Sequence, residues 1–129
     1  MIKLLFTGDF YPSPLLENLN GNGDGNRIYN DFISVLDGND ITITNLESPL
    51  FDRSTPIKKV GPALKASTAS IEILKRGHFN LAALANNHIL DHGNEGLVST
   101  LNVCRGSGIN TVGAGKNAYQ ARKPFITYN

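Results

Sequence analysis

Four short apolar segments, starting near residues 2, 41, 79 and 109, alternate with stretches whose apolar residues recur at helical spacing. Strands separated by helical crossovers pair in parallel, so this order predicts an α/β chain with a mainly parallel sheet and helices on its faces. Residues 2–7 read as a buried strand ending at Gly8-Asp9, and the β-branched run Ile41-Thr42-Ile43-Thr44 as a second. Phe79 to Ala85 and Ile109 to Val112 supply two more, and Phe125 to Tyr128 after Pro124 is a last candidate. Helices are expected over 27–36, from Ser67 or Thr68 to Arg76, and over 94–105. Pro12 and Pro14 exclude a regular continuation of the first strand, Pro49 takes the chain out of the sheet, and residues 18–26 and 51–66 read as loops.

Composition narrows the function classes. The chain has 129 residues and a formal net charge of +1, which suits one compact domain and lacks the basic stripe of a nucleic-acid binder. Its one cysteine, Cys104, shares a helix face with Leu97 and Leu101, so a small buried hydrophobe is expected rather than a disulfide or a multi-cysteine zinc site. The apolar start breaks at Thr7-Gly8-Asp9, short of a signal-peptide core. No apolar run approaches the roughly 20 residues that span a bilayer.

In a parallel sheet the strand C-termini share one edge, and ligands of open α/β sheets bind beyond it. Asp9 follows the first strand, Asn45 and Glu47 end the second, and Asn87 with His88 ends the third. Carboxylates and an amide carbonyl are hard oxygen donors, so Asp9, Asn45, Glu47 and Asn87 suit a divalent metal that orients a phosphate ester. His88 can then serve as proton donor, with Asp91 three residues on to orient its ring if the turn between them allows it. Each residue also has a plainer use: Asp9 as a strand terminator, Glu47 as a surface carboxylate, Asn87 in an Asx turn, Asp91 as the N-cap of the next helix. His78 and His92 read as exposed or structural, and Lys58, Lys59 and Lys65 as a solvated loop before an anion-attracting rim.

Other chemistries find less support. Ser67 and Ser70 lack a Gly-x-Ser-x-Gly elbow, and Gly113-Ala114-Gly115-Lys116-Asn117 fails the Walker pattern and reads as a glycine turn. The Asn/Asp-rich 18–26 segment lacks the Glu that closes a calcium loop. A small sugar- or nucleotide-binding module is a remaining alternative.

The ordered set Gly8-Asp9, Asn45-Leu46-Glu47-Ser48-Pro49-Leu50 and Ala85-Asn86-Asn87-His88-Ile89-Leu90-Asp91-His92-Gly93 resembles the CapA-type bacterial capsule-synthesis family. That family is associated with poly-gamma-glutamate capsules and related to calcineurin-like metallophosphoesterases. Gly108-Ile109, Gly113-Ala114-Gly115 and Ala121-Arg122-Lys123-Pro124 continue the likeness over nearly the whole chain. The resemblance implies the N-terminal portion of a metallophosphoesterase-like αββα sandwich, with residues 1–129 as a single, partial domain. It also implies divalent manganese or zinc near Asp9, Glu47 and Asn87, support from Asn45, and a catalytic His88. Capsule-synthesis membrane proteins and an anionic polymer or phosphorylated substrate are the implied partners, at the bacterial cell envelope. Tyr11 stands where the phosphoesterase Asp-x-His motif has its histidine, Glu47 replaces an Asp-rich motif, and no histidine follows His92. These departures keep a second expectation open, a non-enzymatic scaffold with an incomplete site. An open sheet edge would let such a chain self-associate.

Overall fold

A computed structural model describes residues 1–128. Its sheet has four strands, β1 (Leu4–Phe10), β2 (Ile41–Leu46), β3 (Leu81–Ala83) and β4 (Asn110–Val112), in the order β1-β2-β3-β4. Every neighbouring pair is parallel, as the alternation of apolar and helical segments predicts. The helices are α1 (Pro14–Gly21), α2 (Ile33–Leu36), α3 (Ile71–Arg76), α4 (Gly93–Gly106) and α5 (Ala118–Ala121).

One core holds the sheet to its helices. Leu46 and Ala82 from the strands pack with Leu36 of α2, Ile71 and Leu74 of α3, and Leu97 and Cys104 of α4. Cys104 is fully buried, and burial pushes its thiol up to about 11. Thr100 on the same face of α4 donates to the Gly96 carbonyl and accepts the Leu50 amide at 2.8 Å, pinning the helix to the segment that leaves β2. The opposite face of the sheet is open at its β1–β2 end, where Leu4 is 52% and Phe6 69% exposed. The helices therefore gather on one core rather than covering both faces, and no second sheet exists among the described residues.

Several boundaries differ from the sequence expectation for identifiable reasons. β1 does not stop at Gly8-Asp9 but runs to Phe10 through a bulge, with Phe6 opposite Ile43 and Asp9 opposite Asn45. Residues 18–21 are helical because Pro14 occupies the first turn of α1, where a missing N–H costs nothing. The expected helix over 27–36 is two short 3-10 turns and α2, broken at Asn30, whose φ of 46° is left-handed. The strand expected over 79–85 shrinks to Leu81–Ala83, and Phe125 to Tyr128 pairs with no strand. Gly113, at φ 87°, turns the chain where a Cβ would meet that of Ala85 at 2.7 Å. The 51–66 segment is loop apart from one bridge between Leu50 and Ala66. Among the described residues no helix is long and apolar enough to cross a membrane.

Candidate functional site

The β1 bulge decides where Asp9 points. Side chains alternate along a strand, so the three-position step from Phe6 to Asp9 would put them on opposite faces. The partners Ile43 and Asn45 are only two positions apart on β2, so the extra β1 residue returns Asp9 to the Phe6 face. Threonine hydroxyls brace the irregularity from both strands: Thr44 donates to the Gly8 carbonyl at 2.9 Å, and Thr7 to the Ile43 carbonyl at 3.1 Å. Along β2, Ile41, Ile43, Asn45 and Glu47 are half-buried while Thr42, Thr44, Leu46 and Ser48 are buried. This period of two puts Glu47 on the face of Asn45 and Asp9. The Glu47 amide bonds the Phe10 carbonyl at 3.0 Å and carries the pairing one step past the strand.

A chain of amides then crosses the edge from β1 to β3. The Asn45 amide donates to Asp9 Oδ1 at 2.7 Å, and its Oδ1 accepts Nδ2 of Asn86 at 3.0 Å. Reversing either amide would set donor against donor or oxygen against oxygen, which assigns both orientations. Asn86 also donates to the Leu46 carbonyl, and its Oδ1 accepts the backbone amides of His88 and Ile89, each at 3.0 Å. Asn86 is thus the side chain that folds the turn after β3. Neighbouring Asn87 is exposed at that turn. Asn87, expected at the site, and Asn86, not expected there, are alike in type and differ only in which one the turn directs inward.

The turn brings His88 Nδ1 to 2.7 Å from Asp91 Oδ2. The Asp91 side chain is 0% exposed, and its carboxylate also accepts Lys59 Nζ at 2.6 Å on Oδ1 and the Leu64 amide at 2.7 Å on Oδ2. Burial pushes this carboxyl upward, but the hydrogen bonds from Lys59, His88 and Leu64 outweigh it and hold it below the ordinary value. An ionised carboxylate only accepts, so the proton between it and His88 lies on Nδ1. Nε2 is the ring nitrogen left for chemistry. Asp91 does not cap the following helix: α4 begins after His92 and has no side-chain cap bond.

His92 is buried and structural, its Nδ1 accepting the Thr55 amide at 2.9 Å. Burial, and then the charge of Lys65, hold its pKa below the ordinary value, with Asp91 opposing. The 51–66 loop is therefore fastened over the turn through Thr55, Lys59, Leu64 and the Ile57 amide on the Asp91 carbonyl. Lys59, expected in a solvated loop, is instead an inner member of the site; nothing local in Lys58-Lys59 distinguishes it.

The donors present are the carboxylates of Asp9 and Glu47 and the amide oxygen of Asn87, with Nε2 of His88 nearby in sequence. Their chemistry fits a hard divalent ion, and Asn45 is spent on orienting Asp9 and Asn86. Among the described residues no three His, Cys, Asp or Glu side chains gather as a complete metal-holding group.

Comparisons with known proteins agree on one kinship. The family of bacterial capsule synthesis proteins, PGA_cap, matches residues 3–129. An uncharacterized protein of Sinorhizobium fredii is 33% identical over 123 residues, 92% of this chain and 26% of that protein. A probable polyglutamine synthesis accessory protein of Mycobacterium tuberculosis is 47% identical over 47 residues, 36% of this chain and 12% of its own length. The PGA biosynthesis protein CapA of Bacillus subtilis is 24% identical over 124 residues, 95% of this chain and 33% of that protein. The chain thus spans about a third or less of the curated relatives it matches.

Proposed function

Because the chain belongs to the bacterial capsule synthesis protein family PGA_cap, we propose that it carries part of a divalent-metal-dependent, phosphoesterase-like site used in making or exporting a capsule polymer, poly-gamma-glutamate or a related one. The observation that carries this reading is the hydrogen-bonded row Asp9–Asn45–Asn86, with the His88–Asp91 pair beyond it, at the C-terminal edge of three parallel strands. The names of the Bacillus and Mycobacterium relatives supply the polymer class. A second sheet on the open Leu4–Phe6 face would complete the αββα sandwich. Capsule-synthesis membrane proteins and an anionic polymer or phosphorylated intermediate are the partners this reading implies, at the cell envelope.

In this reading Asp9, Glu47 and Asn87 hold the ion, whose oxygen-rich donor set favours manganese over zinc. A bound divalent ion would polarise a phosphoryl oxygen and lower the pKa of water. The chain's own residues do the rest. Asn45 keeps the Asp9 carboxylate turned along the sheet edge by taking one of its oxygens. Asp91 keeps one ring proton on Nδ1 of His88, so it is the Nε2 proton of the imidazolium that passes to the ester oxygen as the P–O bond breaks.

Calorimetric titration of the chain with Mn2+ tests the centre. Saturable binding weakened at least tenfold by Asp9→Ala and by Glu47→Ala is expected. No saturable binding would remove the metal enzyme. It would leave the second reading, a scaffold that keeps the fold with an incomplete ligand set, which Tyr11 in the place of a ligating histidine favours.

A further inference from the structure

We propose that Lys59 is the positioning residue of this site: its ammonium fixes the buried Asp91 carboxylate so that Oδ2 is left for His88, and the ring is held with Nε2 available. The inference builds on the reading of His88 as proton donor. Three observations carry it. Asp91 has no solvent contact, and an ionised carboxylate there requires a partner of opposite charge. Among the described residues Lys59 carries the ammonium that touches it, at 2.6 Å, with its side chain only 20% exposed. The two oxygens are divided, Oδ1 to Lys59 and Oδ2 to His88 and Leu64, so the lysine sets which oxygen faces the ring.

Lys59 also stands 3.4 Å from His88 Nδ1. That nitrogen already donates to Asp91, so it cannot accept from the ammonium, and the lysine acts on the ring only through the carboxylate. Remove the ammonium and the carboxylate either rotates or takes up a proton and becomes a donor toward Nδ1. Both outcomes release the demand for Nδ1–H. Lys58 is the exposed neighbour and supplies an internal control.

Ring-nitrogen NMR of the chain, recorded at one neutral pH without metal, reads the tautomer directly. The unmodified chain should show His88 as a single Nδ1–H form. Lys59→Met should move its ring nitrogens toward the averaged pattern of a free imidazole, Lys59→Arg should restore them, and Lys58→Met should leave them in place. A ring pattern unchanged in Lys59→Met, or moved equally by Lys58→Met, overturns the proposal. Should Lys59→Met fail to fold, the unmodified chain still decides: a Lys59 ammonium signal protected from exchange supports the pairing, and its absence overturns it. No metal enters these measurements, so a missing metal site and a failed positioning role are separable results.

Discussion

Asp9 and Asp91 belong to one candidate site yet sit in opposite surroundings. Asp9 is exposed on an edge strand, with Asn45 bonded to one of its oxygens. Asp91 has no solvent contact and spends both oxygens on Lys59, Leu64 and His88. The first leaves an oxygen open to solvent, the second holds its neighbours. A carboxylate that must accept a ligand cannot also be saturated by the protein, whereas one that orients a histidine gains from being so. Removing the two should therefore separate stability from binding.

The largest effect should come from Asp91→Ala, which strands the Lys59 ammonium and the Leu64 amide and should cost about 3–5 kcal/mol in urea unfolding. Asp9→Ala should stay within about 1 kcal/mol while weakening Mn2+ binding at least tenfold. Equal destabilisation by both substitutions would break the contrast. Asn86→Ala comes next, because it removes the side chain joining the two halves and leaves the amides of His88 and Ile89 without their acceptor. A loss of about 1–3 kcal/mol is expected, with coupling to both aspartates in double-mutant cycles. No coupling would mean that the two halves are independent.

Thr44→Val should cost about 1 kcal/mol by releasing the Gly8 carbonyl, and should weaken Mn2+ binding through the aim of Asp9. Unaltered affinity would show that the bulge stands without its threonine. The smallest effect concerns acid. The folded pKa of His92 lies below 6.5, so the unfolded chain takes up this proton first, and the stability His92 contributes is lost as pH falls below 6.5 toward the folded value. Between pH 7 and pH 5 the urea midpoint should fall more in the unmodified chain than in His92→Gln. Asp91, held below 3.8, adds its own loss only at lower pH, and parallel profiles would exclude the histidine.

Legibility followed the range of the interaction. The parallel strands could be read because β-branched and apolar runs separated by helical spacing encode burial locally, and Cys104 because a helical face is a local pattern. The break at Asn30 and the failure of Phe125 to Tyr128 to join the sheet have no comparable signal. Within the site, sequence spacing puts Asp91 within a turn of His88 but cannot choose between capping α4 and facing the ring. The 51–66 loop made that choice by delivering Lys59 and the Leu64 amide from 32 and 27 residues away.

What the chain's residues determined unaided is the alternation of strands and helices along the chain and the placement of polar groups near the C-terminal ends of three strands, since burial and turn chemistry act between near neighbours. Which of two adjacent asparagines folds the turn, which lysine is drawn inward, and which face of β1 carries Asp9 were decided only in three dimensions. Each depends on a hydrogen bond to a residue distant in sequence, formed once the sheet has set the register.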